Sequence, residues 1–161
     1  MNAITTLPII TKHTVMPLEF QKLTDRQRAI VLFVNQFMEK RFAYQPVWTE
    51  FYRTQEQQDL YYRDRIDKGM FVVDSDGETK HYSKNKQWPT LSVHQLYRGS
   101  DMSLDVIDLS ETFKLRELRN EEIIEIKERV NFVFPYGKGN YESCIFHQQF
   151  GKPHLHFQSV V

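Results

Sequence analysis

Residues 143–158, SCIFHQQFGKPHLHFQ, decide the fold class that we expect for this chain. They contain most of two strand candidates, 143–149 and 154–161, which lie close together in the sequence. So short a connection suits antiparallel neighbours, whereas parallel strands need a crossover of a dozen or more residues. Helix candidates occur upstream, so we expect an α+β fold, an antiparallel sheet flanked by about three helices.

Local signals place the three helices. Thr24 and Gln27 have the spacing of a capping box, and the apolar residues that follow recur at helical spacing. Thr54 has the same spacing to Gln57 and predicts the start of a second helix, and Asn120 is the predicted cap of a third over 120–131. The inward residues of the first helix are Ile30, Val31, Val34, Phe37, Met38 and Phe42; those of the second are Leu60 and Tyr61, with Gly69 past its end.

The remaining segments are predicted to be strands, loops and an arm. Strand signals cover 47–52, 70–73 and 101–109, whereas 80–89 is polar and favours a loop. Residues 1–18 lack helical or strand periodicity, so we expect an N-terminal arm laid across the core. We expect residues 1–161 to form a single domain, because no linker or repeat divides the chain.

Composition limits the classes of partner. The 161 residues carry 21 Lys+Arg and 21 Asp+Glu, a balance that argues against a generic nucleic-acid binder or a polybasic membrane binder. The single cysteine, Cys144, excludes an internal disulfide and favours a small buried thiol over a nucleophile. The N-terminus lacks the pattern of a secretion signal, and no apolar stretch approaches membrane-spanning length. We therefore expect synthesis in the cytoplasm, and a monomer.

Histidines and an aspartate could form a metal site. His94 precedes Asp101 by seven residues, and His154 and His156 form an H-x-H pair. Alternate residues of a strand share a face and lie roughly 6.6 Å apart, so one histidine can bind a metal while the other reaches a bound water or an oxyanion. Two histidines and one aspartate suit Zn²⁺ and leave a fourth position open. The competing interpretation is a buried, hydrogen-bonded His94 with Asp101 in a turn, and two half-exposed histidines on an edge strand.

Three blocks in order carry a resemblance to a known family. The stretch 90–102, TLSVHQLYRGSDM, resembles the S-x-H-x6-D signature of zinc D-Ala-D-Ala carboxypeptidases and L-alanyl-D-glutamate endopeptidases, members of the superfamily that includes lysostaphin-type peptidases and the Sonic hedgehog fold. Upstream, 49–69 is similar to that family's strand-to-helix block, through Arg53, Thr54, Gln58, Leu60 and Tyr61. The closing PHLHFQ, 153–158, is similar to its last histidine-containing strand.

The resemblance implies a zinc cleft and a role for each matching residue. It makes His94, Asp101 and His156 the metal ligands, with His154 assisting the water or the tetrahedral intermediate. It places Arg53 and Ser92 against the substrate; the alternative for Arg53 is a surface ion pair with a carboxylate such as Glu56. The implied activity is hydrolysis of peptidoglycan stem peptides, and a chain of this size resembles a phage endolysin that reaches the cell wall after release.

Two departures from the family pattern leave alternatives open. Many members carry an acidic general base a few residues before the last ligand, whereas 148–155 contains no acid. Either His154 serves, or Glu142 reaches the site from elsewhere in the fold, or the protein is a non-catalytic zinc-binding component of a virion or secretion device. The second departure lies in SVHQLYRGSD, 92–101, where the small residue that is usual before the aspartate's neighbour is replaced and Tyr97 and Arg98 intervene. In an alternative register His154 would be the ligand instead of His156. For His147 a packed or exposed side chain is favoured over contact with the site, and His13 and His81 receive no role.

Overall fold

The computed structural model describes residues 9–12, 16–67, 72–73, 80–81, 92–148 and 152–160. Helices and strands are mixed through these ranges, and the strands pair mainly antiparallel, which makes this an α+β fold. The elements are β1 (Ile10–Thr11), α1 (Met16–Lys22), α2 (Asp25–Phe42), β2 (Tyr44–Gln45), β3 (Val47–Glu50), α3 (Gln55–Asp67), β4 (Val72–Val73), β5 (Lys80–His81), β6 (Gly99–Ser103), β7 (Asp105–Asp108), β8 (Lys114–Glu117), α4 (Asn120–Val133), β9 (Cys144–His147) and β10 (His154–Gln158).

A five-stranded sheet of order β1-β3-β6-β10-β9 carries the candidate site. Its strands pair antiparallel except for β1 and β3, which are parallel. The predicted pairing of the last two strands is confirmed, since β9 and β10 are antiparallel neighbours. β10 also pairs with β6, and this register sets His156 opposite Asp101.

The first predicted helix is confirmed as α2, but only half of its capping box forms. The Thr24 hydroxyl accepts a hydrogen bond from the Gln27 backbone N–H, while the Gln27 side chain turns into the protein interior. α2 packs on β6 and β10, and its C-terminus is closed by Ala43 in the left-handed conformation. The largest side chains that this packing buries completely are Trp48, Phe51, Phe157, Ile30, Met38 and Met102.

The second predicted helix is confirmed as α3, but its inward face was predicted wrongly. Thr54 caps it as expected, accepting a hydrogen bond from the Gln57 backbone N–H at 3.1 Å. Leu60 is 51% exposed and Tyr61 is 37% exposed, whereas Gln58 is fully buried. The helix lies beside the candidate site, where Gln58 makes polar contacts, whereas Leu60 and Tyr61 face outward.

The third predicted helix is α4, which begins one residue earlier than expected. Arg119, rather than Asn120, is the N-cap, and its backbone N–H donates to the Glu122 carboxylate at 2.9 Å. The helix packs its buried Ile123, Ile126 and Val130 toward α2 and β9. A buried glutamate at the third helical position therefore supplies the cap that the sequence assigned to asparagine.

Three further differences concern the N-terminal arm, the strand predicted over 101–109 and the loop predicted over 80–89. The strand breaks at Leu104, and β7 joins a second sheet of order β2-β7-β8. Within 1–18, the structure places β1 and the start of α1, which the sequence did not predict because two and seven residues are too short to show periodicity. A short pair of strands, β4 and β5, falls partly in the predicted loop.

Some predictions lie outside the described residues: the arm at 1–8, His13, Gly69, the rest of the 80–89 loop, and the residues between β9 and β10 at 149–151. Of the helices that the structure describes, none combines the length and apolar character needed to cross a bilayer.

Candidate metal centre

Three side chains from separate parts of the fold converge on one face of the five-stranded sheet. Asp101 lies in the middle of β6, His156 lies opposite it on β10, and His94 comes from the turn at 93–97 that precedes β6. One potential ligand atom from each of the three lies within 4.8 Å of the other two. All three residues are buried, with exposed fractions of 3% for His94 and 6% for each of the others. The group could hold a metal ion.

Asp101 is the centre of this group. Its Oδ1 accepts a hydrogen bond from His156 Nδ1 at 2.7 Å, and its Oδ2 lies 3.4 Å from His94 Nε2. The same Oδ2 lies 3.7 Å from Nε2 of His154, which is on β10 two residues before His156. One carboxylate therefore faces three imidazoles, an arrangement that gathers nitrogen and oxygen donors around a single point.

Electrostatics keep two of the three side chains in the form that binds metal. Burial lowers the pKa of His94, and the nearby Arg53 charge adds to this effect, so the ring stays neutral. Burial alone would raise the pKa of Asp101, but its interactions with the His94 and His156 rings hold it well below its ordinary value. A neutral imidazole and an ionised carboxylate are the protonation states that a metal ion requires.

A network around Ser92 and Gly99 fixes the turn that carries His94. The Ser92 hydroxyl accepts from the Gln95 backbone N–H, and the Gln95 side-chain oxygen accepts from the Ser92 backbone N–H at 3.1 Å. Gly99 closes the other side, because a Cβ there would lie 2.9 Å from Val93 Cγ2 and 3.1 Å from His94 Nδ1. Ser92 thus holds the turn in place, and its predicted contact with substrate stays a prediction. The S-x-x-Q spacing at 92–95 is the sequence signal for this cap.

His154 is the accessible imidazole beside the buried group. Its side chain is 22% exposed, and its Nδ1 lies 2.9 Å from the Lys152 carbonyl oxygen. A proton on Nδ1 would be donated to that carbonyl, which leaves the Nε2 lone pair directed toward the site. Geometry therefore favours His156 over His154 as the ligand, since only His156 belongs to the buried group.

His147 adjoins the site, although the sequence favoured a packed or exposed side chain. It lies opposite His154 in the register of β9 and β10, and its ring centroid is 5.3 Å from that of His154 and 5.2 Å from that of His156.

Cys144 is fully buried, as predicted, and burial raises the pKa of its thiol, which disfavours a thiolate nucleophile.

Arg53 has an acidic partner, but not the one considered from the sequence. Its Nε donates to Glu50 Oε1 at 2.6 Å and its Nη1 donates to Gln58 Oε1 at 2.8 Å. Its guanidinium also lies 4.6 Å from the centre of the Tyr61 ring. The side chain is 12% exposed, so Arg53 is held rigidly at the rim of the site and not in a loose surface pair with Glu56.

Two residues near the site were missed from the sequence. The Glu50 carboxylate lies 3.6 Å from His94 Nδ1, and Gln158 Oε1 lies 3.2 Å from His156 Nε2. Gln158 could have been found from the sequence, because it lies two residues after His156 on the same strand face. Glu50 lies beside a register shift in β3 that no sequence pattern predicts. Glu142, the acid considered as a distant base, instead pairs its carboxylate with Lys127 at 2.9 Å.

No protein-family model matches this chain, and comparisons with curated proteins and with solved structures also give no match. Any functional conclusion therefore depends on the geometry of the site itself.

Proposed function

We propose that this chain is a zinc-dependent peptidase that hydrolyses peptidoglycan stem peptides. The observation that carries the proposal is the buried group of His94, Asp101 and His156 with the accessible His154 beside it. Structural zinc sites surround the metal with four protein ligands, whereas catalytic sites use three and leave a position for water or substrate. Three buried donors next to a partly exposed imidazole agree with the catalytic arrangement.

The residues fit zinc by their chemistry. His94, Asp101 and His156 would hold the ion with donor types that zinc accepts, and one potential ligand atom from each residue lies within 4.8 Å of the other two. Zinc, when bound there, supplies a Lewis acid that polarises a peptide carbonyl and lowers the pKa of water.

The chain's own side chains would perform the remaining steps. His154, with Nδ1 fixed on the Lys152 carbonyl, would take a proton at Nε2 and return it to the leaving amine. Arg53 would orient a substrate carboxylate from the rim, because a guanidinium offers paired N–H donors and stem peptides carry carboxylates. Burial of the three ligand side chains would exclude bulk water from the ligand positions.

The proposed setting is that of an endolysin-like enzyme that is made in the cytoplasm and acts on the cell wall after release. The formal net charge of +0 provides no general attraction to an anionic wall. Binding would then be concentrated in the cleft, with a stem peptide as the partner and a monomer as the acting species. Removal of a terminal D-Ala and cleavage between L-Ala and D-Glu both remain consistent with this site.

The proposal is tested first by metal content. Protein purified without a histidine tag should hold about one equivalent of zinc, and His94→Ala should lose it, while the exposed-site control Glu56→Gln should retain it. Zinc well below one equivalent in the wild type, unchanged by His94→Ala, would mean that the histidines are incidental to metal binding.

Activity is tested by release of new amino groups from purified sacculi. The zinc-loaded wild type and Glu56→Gln should release them, and His154→Ala should release far less while keeping its zinc. Removal of zinc with a chelator should stop the reaction, and added zinc should restore it. Mass spectrometry of the products then identifies the bond that is cut.

A second candidate function is a non-catalytic zinc-binding component of a virion or secretion device. It is favoured by one observation: Glu142, the acid outside 148–155 that was considered as a base, is paired with Lys127. Zinc at one equivalent with no release of amino groups from sacculi would support this second function and contradict the first.

A further inference from the structure

The outer nitrogen of each histidine ligand faces a polar side chain that the family resemblance does not assign. His156 Nε2 lies 3.2 Å from Gln158 Oε1, and Gln158 is itself anchored because its Nε2 donates to the Glu142 carbonyl at 2.9 Å. On the other ligand, His94 Nδ1 lies 3.6 Å from Glu50 Oε1. The inner nitrogens, His94 Nε2 and His156 Nδ1, both face Asp101.

The surroundings of His94 leave Glu50 as the acceptor that its outer nitrogen can use. His94 Nδ1 is buried and has no hydrogen-bond partner, and the Gly99 backbone and Val93 close the space beside it. When Nε2 of a neutral imidazole binds a metal, the ring proton is confined to Nδ1, and a buried N–H needs an acceptor. At 3.6 Å, Glu50 Oε1 is slightly beyond hydrogen-bond distance and needs only a small adjustment to accept that proton.

Glu50 is also held firmly enough to act as a fixed acceptor. The same Oε1 accepts from Arg53 Nε at 2.6 Å, and the Glu50 side chain is only 17% exposed. Its backbone is fixed too, because Glu50 is the residue of β3 that lies opposite Asp101, and the neighbouring Thr49 hydroxyl donates to the Asp101 carbonyl at 3.3 Å.

We propose that Glu50 is a positioning residue that accepts the Nδ1 proton of metal-bound His94 and, through the same oxygen, fixes Arg53 at the rim. Gln158 has the corresponding task for His156. The Glu50 carboxylate thus connects the metal centre to the substrate-orienting Arg53 and fixes the position of Arg53 relative to the metal. This inference rests on the metal centre of the proposed function but not on hydrolysis.

The experiment measures zinc affinity by competition with a chelator, together with the visible spectrum of the cobalt-substituted protein. Glu50→Gln, which keeps the size of the side chain, should weaken zinc binding about 10-fold and shift the cobalt bands, since loss of an outer partner of a ligand costs 10–100-fold in affinity. Gln158→Ala should weaken it similarly. The control Glu56→Gln should bind zinc as the wild type does and leave the spectrum unchanged.

A double-variant comparison separates contact with His94 from contact with Arg53. Glu50→Gln should still weaken zinc binding about 10-fold when it is introduced into Arg53→Ala. If the loss disappears in that background, Glu50 acts only by neutralising Arg53 and the inference is wrong. Circular dichroism of the metal-free variants establishes that each is folded.

The outcomes for this inference and for the proposed function are distinct. Zinc affinity of Glu50→Gln within twofold of wild type overturns the inference even when the wild type cleaves sacculi. A zinc affinity that falls about 10-fold in Glu50→Gln, together with a wild type that releases no amino groups, supports the inference and contradicts the peptidase. A wild type that binds no zinc overturns both.

Discussion

Replacing Gln27 with leucine should destabilise the chain and loosen the two strands that carry the candidate ligands. Gln27 is fully buried on α2, and its Nε2 donates to the Ser100 hydroxyl and to the Phe157 carbonyl, each at 3.1 Å. Its Oε1 accepts from the Ser159 hydroxyl at 2.8 Å. Ser100 and Phe157 are the direct neighbours of Asp101 and His156, so one amide ties the helix to both ligand strands.

The expected loss follows from these three contacts. Each hydrogen bond contributes about 1 kcal/mol net, so the loss of all three in Gln27→Leu should lower the free energy of unfolding by about 3 kcal/mol. Burying the more apolar side chain of similar size recovers about 1 kcal/mol. The free energy of unfolding should therefore fall by about 2 kcal/mol, and the melting temperature by about 4–8 °C for a chain of this length.

Urea unfolding of the metal-free protein, followed by far-UV circular dichroism, measures this change as a lower midpoint with an unaltered slope. Gln36→Leu, a half-buried position on the same helix, is the matched control and should change stability by less than about 0.5 kcal/mol. A loss for Gln27→Leu no larger than that of the control would refute the reasoning, because it would mean that the buried amide contributes nothing.

Three further predictions concern a cap, an acid group and the metal. Thr54→Ala should cost about 1 kcal/mol in urea unfolding, because it removes the N-cap of α3; an unchanged midpoint would contradict this. Burial raises the pKa of Glu122, but the hydrogen bonds and charge of Arg119 outweigh it and hold the pKa below its ordinary value. The stability that Glu122 adds is then present above the ordinary carboxyl pKa and lost as the pH falls, so the deficit of Glu122→Gln should shrink between about pH 6 and about pH 3; a constant deficit would argue against it. Zinc at about 100 times its dissociation constant should stabilise the wild type by about 2.7 kcal/mol in calorimetry, and His94→Ala by far less; equal stabilisation of both would place the metal elsewhere.

The parts of this protein that were predicted correctly depend on short stretches of sequence. Thr24 and Thr54 each cap a helix through a backbone N–H three residues away, a contact set by local geometry. The antiparallel pairing of β9 and β10 follows from their short connection. His154 and His156 share a strand face because side chains alternate along a strand.

The errors arose where a partner outside the helix itself decided the outcome. Leu60 and Tyr61 were predicted to face the core because they are apolar, but α3 turns Gln58 inward, where its Oε1 accepts a hydrogen bond from Arg53 Nη1. Gln27 was expected to complete a capping box with Thr24. Its side chain instead satisfies buried groups that belong to strands more than 70 residues away.

By itself, the sequence determined the α+β class, the caps Thr24 and Thr54, and the identity of His94, Asp101, His154 and His156 as candidates, since each rests on residue type and near spacing. Only the tertiary structure decided that His156 lies opposite Asp101 and that Glu50 reaches His94. The physical reason is register: strand pairing between segments some 50 residues apart is selected by burial of the whole sheet face, and a shift of one residue in β10 would turn His156 away from Asp101.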